Sequence, residues 1–251
     1  MHPGRYAILA WLLLANLSFA QEPPRSVALP KDLFQAKTSV PAKLDYLLFL
    51  PAAYEKPELK WPLLLYLHGS GECGTNLNLL KRNGPTKYVL SHPEFPFILV
   101  SPQTKGGWDA RALTALLDEV VSKYRVERNQ IYLTGLSMGG GGTWSLAAAH
   151  PERFAAVVPV SGVGDPAMAS KLAPLPIWVF HGAQDQIISV DWSRKMVAAI
   201  KAASGTINYT EFPKSKHNIW AKTYNNPELY IWLLAQKRGD LRPQGDFNRK
   251  N

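Results

Sequence analysis

The stretch that most constrains this chain runs from Gln130 to His150. An apolar, β-like run, Gln130-Ile131-Tyr132-Leu133-Thr134, leads straight into Gly135-Leu136-Ser137-Met138-Gly139, and an alanine-rich helical run follows. G-x-S-x-G between a strand and a helix is the setting of a nucleophile elbow, a turn so sharp that the flanking positions must be small. Such a turn lifts the serine hydroxyl above a sheet edge, within reach of a substrate. The competing reading is an ordinary glycine turn at a strand end, because short motifs also occur by accident.

The surrounding chain supplies the sheet such a turn needs. Pro62 to Leu67 is continuously apolar and ends in His68-Gly69-Ser70-Gly71. That is how a strand buried on both faces of a parallel sheet reads. Phe97 to Val100, Ala155 to Val160 and Ile177 to Phe180 are further buried-strand candidates, and Leu44 to Leu50 and Ile207 to Phe212 alternate. Short helices are expected over Asn76 to Lys81 and Pro85 to Leu90. Asp109 reads as the N-cap of a helix through Leu113, Leu116, Leu117, Val120, Val121 and Tyr124, one face of a 3.6-residue period. Trp192 to Ala203 and Pro227 to Gln236 read as later helices, with Asp191 as an N-cap. Residues 21 to 41 are proline-rich and read as an extended lead-in. Strands alternating with helices imply an α/β fold, a mostly parallel central sheet with helices on both faces. The connection between the strands near Val160 and Ile177 is the only room for a cap, and it is small.

The N-terminus carries a different signal. His2 and Arg5 precede an apolar run from Tyr6 to Leu17, then Ser18-Phe19-Ala20 and a polar Gln21-Glu22-Pro23-Pro24. This is the layout of a secretory signal peptide over residues 1–20, cut after Ala20, with a single domain over 21–251. An uncleaved anchor is the alternative. The export reading implies a periplasmic or secreted protein with no stable membrane insertion after cleavage. The one cysteine, Cys73, excludes an intrachain disulfide and reads as a small loop residue. The formal charge of +9 comes from scattered Lys and Arg, not from a dense stripe with interleaved aromatics. It reads as a solvated surface, and no nucleic-acid partner is expected.

A serine hydroxyl becomes an effective nucleophile when a base takes its proton, and the base is commonly a histidine oriented by a carboxylate. Of the six histidines, His2 falls in the signal region, and His68 and His181 sit in His-Gly pairs at strand ends. His92 and His150 each precede a proline. His217 remains, in a loop after the last expected strand. Between Ser137 and His217 the acid candidates are Asp165, Asp185 and Asp191. Asp185, just past a strand's C-terminal end, is favoured; the others read as cap or turn residues. Backbone N–H groups of Met138 and Ser70 are the candidates for an oxyanion hole. Glu72, Trp108 and Trp220 flank the same loops and are candidate substrate contacts, while Trp144, Trp178 and Trp232 are assigned to the core. No Cys/His cluster at metal spacing, P-loop or dinucleotide fingerprint is present, so no metal or cofactor is expected.

Taken together, these blocks resemble the α/β-hydrolase superfamily. More narrowly, the chain is similar to bacterial secreted carboxylesterases of the phospholipase/carboxylesterase, predicted-peptidase or polyhydroxybutyrate-depolymerase-like kind. The resemblance runs from Leu44 to Leu234. It rests on Pro62 to Glu72, Ser101-Pro102-Gln103, Tyr132 to Gly140, His150 to Pro159 and Ile177 to Asp185. It implies Ser137 as nucleophile, Asp185 as acid and His217 as base. The family often carries His-Asp before a tryptophan in the last loop, where this chain has His217-Asn218-Ile219-Trp220. Members cleave varied esters, including feruloyl and acetyl groups on plant polysaccharides, aryl esters and short acyl esters. The implied function is a serine carboxylic-ester hydrolase acting on small acyl or aryl esters or on polymer-linked esters. A peptidase of the prolyl-oligopeptidase type is the second reading, and a non-catalytic binding protein on the same fold is the third.

Overall fold

The computed structural model describes residues 33–239. The expected signal segment lies outside them, as do the ends of the expected 21–251 domain. In chain order the elements are β1 (Gln35–Ser39), β2 (Leu44–Phe49), β3 (Trp61–Leu67), α1 (Gly84–Tyr88), β4 (Ile98–Gln103), α2 (Ala110–Lys123) and β5 (Val126–Leu136). They continue with α3 (Met138–Ala149), β6 (Ala156–Val160), α4 (Ala169–Leu172), β7 (Ile177–Gly182), α5 (Asp191–Ala202), β8 (Ile207–Phe212), α6 (Trp220–Tyr224) and α7 (Pro227–Ala235). The strands form one eight-stranded sheet ordered β1-β2-β4-β3-β5-β6-β7-β8. β1 and β2 join antiparallel at one edge, and every pairing from β4 to β8 is parallel.

Strand alternation sorts the side chains into two cores. Leu63, Leu65, Leu67, Val100, Leu133 and Val179 face one way and meet α2, α3 and α5. Leu64, Tyr66, Leu99, Tyr132, Val158 and Phe180 face the other way, against Val89 beside α1 and the apolar sides of α6 and α7. The continuous apolar runs of β3, β4 and β6 follow from this, because both faces of those strands are covered. α2 shows how a helix is fastened to the sheet. Asp109 caps it by accepting from Arg111 N–H, and Leu113, Leu116, Leu117 and Val120 are buried along one stripe. Each such side chain contributes roughly 1.5–3 kcal/mol relative to an exposed position.

Three expectations change. β1 forms inside the stretch read as an extended lead-in; its Gln-Ala-Lys-Thr-Ser sequence is mostly exposed, so no apolar alternation marked it. Asp191 is not the N-cap of α5; Val190 holds that position and Asp191 lies in the first turn, where its carboxylate pairs with Arg194. Trp144 is buried as expected, but Trp178 and Trp232 are only half-buried, packed edge-to-face on one another at 5.4 Å. Among the described residues, no helix is long and apolar enough to cross a membrane.

Candidate active site

The elbow between β5 and α3 is backbone chemistry first. Ser137 has φ 53° and ψ −115°, a left-handed conformation that a non-glycine residue adopts at a cost of about 1–3 kcal/mol. Its N–H is held by the Val160 carbonyl of β6 at 2.8 Å, and its carbonyl accepts from Gly141 N–H at 3.0 Å. Gly135 and Gly139 are required by space. A Cβ on Gly135 would strike the Gly139 carbonyl, and one on Gly139 would strike the carbonyl of Leu67 in β3. The two glycines therefore let α3 start directly over the ends of β5 and β3.

Three side chains meet above the sheet from three different strand ends. His217, in the loop after β8, has Nε2 2.9 Å from Ser137 Oγ and Nδ1 2.6 Å from Asp185 Oδ2. Asp185 follows β7, and its side chain is fully buried. Burial pushes its carboxyl upward. The hydrogen bond from His217 and the backbone N–H donors of Ile188 and Ile187 more than offset that and hold it below the usual carboxylate range. Asp185 is thus an ionised acceptor, which places the proton of a neutral His217 on Nδ1 and leaves the Nε2 lone pair facing the serine.

The loop after β3 lies alongside. Ser70 opens a 3₁₀ turn (Ser70–Glu72), and Met138 is the first residue of α3. The N–H groups at such starts have no partner one turn earlier, so they are free to face a ligand. The loop is braced from behind. His68 is fully buried, and its Nε2 accepts from Thr104 N–H at 3.1 Å. The ring proton must then sit on Nδ1, which donates to the Gly69 carbonyl at 2.6 Å. Trp108 Nε1–H donates to the His68 carbonyl at 3.2 Å, and the two rings pack at 4.7 Å.

The remaining expected residues fall into two groups. Trp220, the first residue of α6, packs its edge against the His217 ring at 5.1 Å and is buried. Trp108 is half-buried between His68 and Gly142 of α3. Glu72 is buried, and its carboxylate accepts from Asn83 Nδ2 while its carbonyl accepts from Gln103 Nε2 at 2.7 Å. These contacts make Glu72 a brace for the Ser70–Glu72 turn.

One neighbour was passed over in the sequence. His181, at the end of β7, has Nε2 3.1 Å from Asp185 Oδ2 and 2.9 Å from the Ile188 carbonyl, and Nδ1 2.7 Å from Ser193 Oγ. It was read with His68 as a strand-end His-Gly pair. Its spacing of four residues from Asp185 does not separate it, because His68 stands four residues before Glu72.

The fold occurs in proteins of known structure. A thermostable esterase is 32% identical, aligns with a TM-score of 0.74, and shares 82% of this chain and 64% of its own. The chain belongs to the α/β-hydrolase superfamily. Residues 107–231 match the phospholipase/carboxylesterase family. The α/β-hydrolase is also similar to a bifunctional acetylxylan esterase/xylanase of Neocallimastix patriciarum, 24% identical over 70% of this chain and 26% of the relative. A feruloyl esterase C, assigned as probable, of Aspergillus terreus is 26% identical over 61% of this chain and 58% of the relative. The chain thus spans between about a quarter and under two thirds of the length of these proteins.

Proposed function

We propose that this α/β-hydrolase is an exported serine carboxylic-ester hydrolase working through an acyl-enzyme. One observation carries the reading: a single histidine, His217, bridges Ser137 Oγ and the buried Asp185 carboxylate at 2.9 and 2.6 Å. Ser137 Oγ attacks the ester carbonyl carbon while its proton passes to His217 Nε2. The resulting imidazolium lies against Asp185, whose depressed pKa keeps it ionised there. The tetrahedral oxyanion takes the N–H groups of Met138 and Ser70. Collapse breaks the bond to the alcohol oxygen, which leaves with the His217 proton. Water then repeats the sequence, releasing the acid and restoring Ser137.

The substrate class is small acyl or aryl esters, including acyl groups carried on polysaccharide. Two features support it. Relatives bear the names acetylxylan esterase and feruloyl esterase. Between β6 and β7 the chain builds only a 3₁₀ turn (Pro166–Met168) and the short α4, so that connection forms no large cap over Ser137. Export rests on the layout of residues 1–20.

The test is a panel of acetylated xylan, methyl ferulate, p-nitrophenyl acetate, a long-chain triglyceride and a peptide anilide. The expected result is turnover of the first three, abolished in Ser137→Ala together with fluorophosphonate labelling. Labelling or turnover that persists in Ser137→Ala overturns the assignment, and preference for the anilide overturns the ester reading. For export, the mature protein should begin at Gln21; a mature chain retaining residues 1–20 refutes cleavage.

A further inference from the structure

Asp185 Oδ2 has two imidazole partners rather than one. His217 Nδ1 approaches at 2.6 Å and His181 Nε2 at 3.1 Å. The second carboxylate oxygen, Oδ1, accepts from the backbone N–H groups of Ile187 and Ile188, both at 2.9 Å. The torsion that orients a carboxylate is broad and nearly two-fold on its own. Three donors besides His217 therefore decide which oxygen faces the histidine and at what angle.

The protonation of His181 follows from its neighbours. Both groups facing Nε2, the Asp185 carboxylate and the Ile188 carbonyl, are acceptors only, so Nε2 carries a proton. In the neutral ring Nδ1 is a lone pair, and Ser193 O–H donates to it at 2.7 Å. The placement comes from strand alternation. His181 and Val179 share the β7 face that meets α5, and the first turn of α5 brings Ser193 over the ring. His181 and Ser193 are both fully buried. The nearest charged side chain on β8 is Glu211, opposite His181 in the β7–β8 register. Glu211 is itself held by Arg194 of α5 at 2.7 Å and by Tyr209 O–H at 2.6 Å.

We propose that His181 is a positioning residue for the reaction. With Ser193 steadying the ring through its hydrogen bond to Nδ1, it fixes Asp185 Oδ2 so that the carboxylate holds His217 in line with Ser137. It touches no substrate and acts only through Asp185. The inference rests on the Ser137-His217-Asp185 reading above and deepens it.

Two substitutions at one position separate positioning from mere packing. His181→Phe keeps a ring and removes both polar contacts. His181→Gln keeps an amide N–H at about the reach of Nε2. Hydrolysis of p-nitrophenyl acetate is measured with active sites counted by fluorophosphonate titration. His181→Phe should lower kcat about 10–100-fold, by analogy with the cost of removing hydrogen-bond partners that orient metal-binding side chains, with KM within about twofold of wild type. His181→Gln should recover most of the loss. An unchanged kcat in His181→Phe, or a loss that His181→Gln does not recover, overturns the proposal.

If His181→Phe does not fold, Ser193→Ala serves, with His181 and Asp185 both intact. It should lower kcat several-fold at unchanged KM, because the ring that holds Asp185 Oδ2 loses its anchor at Nδ1 while Nε2 keeps its proton. A wild-type kcat in Ser193→Ala overturns the proposal. A failure of the ester-hydrolase reading itself looks different, because wild-type turnover would then be absent or would survive Ser137→Ala.

Discussion

His217 Nδ1 and Asp185 Oδ2 stand 2.6 Å apart across two loops that leave neighbouring strands, β7 and β8. This hydrogen bond is charge-assisted, because Asp185 stays ionised, and its carboxylate is buried away from competing water. It sets both the tautomer and the direction of the histidine. Asp185→Asn removes the charge and allows the wrong tautomer while nearly preserving shape. The expected result is a fall in kcat of about 10⁴ with a folded protein. Steady-state kinetics beside circular dichroism checks it; a loss below tenfold in a folded variant would show that Asp185 does not orient His217.

The glycines of α3 divide into two kinds. Gly139 has no room, because a Cβ there would meet the Leu67 carbonyl, which is backbone and cannot step aside. Gly141, two residues along, would find only the Val163 carbonyl at 3.5 Å, an ordinary contact. Gly139→Ala should therefore destabilise by about 1–3 kcal/mol or more. Gly141→Ala should stabilise by about 0.5–1 kcal/mol through the reduced freedom of the unfolded chain and better helix propensity. Urea unfolding of the pair decides it, and equal shifts would refute the spatial argument at Gly139.

Much of this was legible in the chain because the chemistry lies at strand ends. Ser137 and Asp185 follow apolar runs and His217 follows the alternating Ile207–Phe212 strand, so the α/β order alone brings their loops to one edge of the sheet. The two antiparallel strands were not equally visible. β2 carries Leu47, Leu48 and Phe49 into the core, whereas β1 is polar and its pairing with β2 is a tertiary fact. His181 was hidden for another reason. His68 and His181 have the same local sequence, His-Gly at a strand end, yet one ring braces the Ser70 loop and the other faces Asp185. Only the elements packed on each strand, Thr104 beyond β4 in one case and Ser193 on α5 in the other, distinguish them.

Beneath the elbow, β5 is tied to α6 by a buried hydroxyl pair. Thr134 Oγ1 donates to the Val158 carbonyl at 2.7 Å, so the Tyr224 O–H donates to Thr134 at 2.9 Å. Tyr224→Phe removes the donor and leaves its buried partner one hydrogen bond short. A loss of about 1–3 kcal/mol in unfolding free energy is expected. A change within measurement error would mean that the pair contributes no net stability.

His68 makes stability depend on acid. Burial lowers its pKa below the ordinary 6.5, with the Gly69 carbonyl offsetting only part of that. A proton on Nε2 would also displace the Thr104 N–H that Nε2 accepts. The folded state thus binds this proton less readily than the unfolded chain, and stability rises with pH wherever the unfolded state holds more protons. The contribution is fully present above the unfolded value of about 6.5 and is lost as pH falls from there through the lower folded value. One such group gives a slope of at most about 1.4 kcal/mol per pH unit. Urea unfolding at pH 8, 7, 6 and 5 should therefore show a plateau followed by a decline. His68→Asn, which retains an N–H for the Gly69 carbonyl but cannot take up a proton, should be less stable at pH 8 and decline less between pH 7 and 5. An identical decline in both proteins would assign the acid sensitivity to other groups.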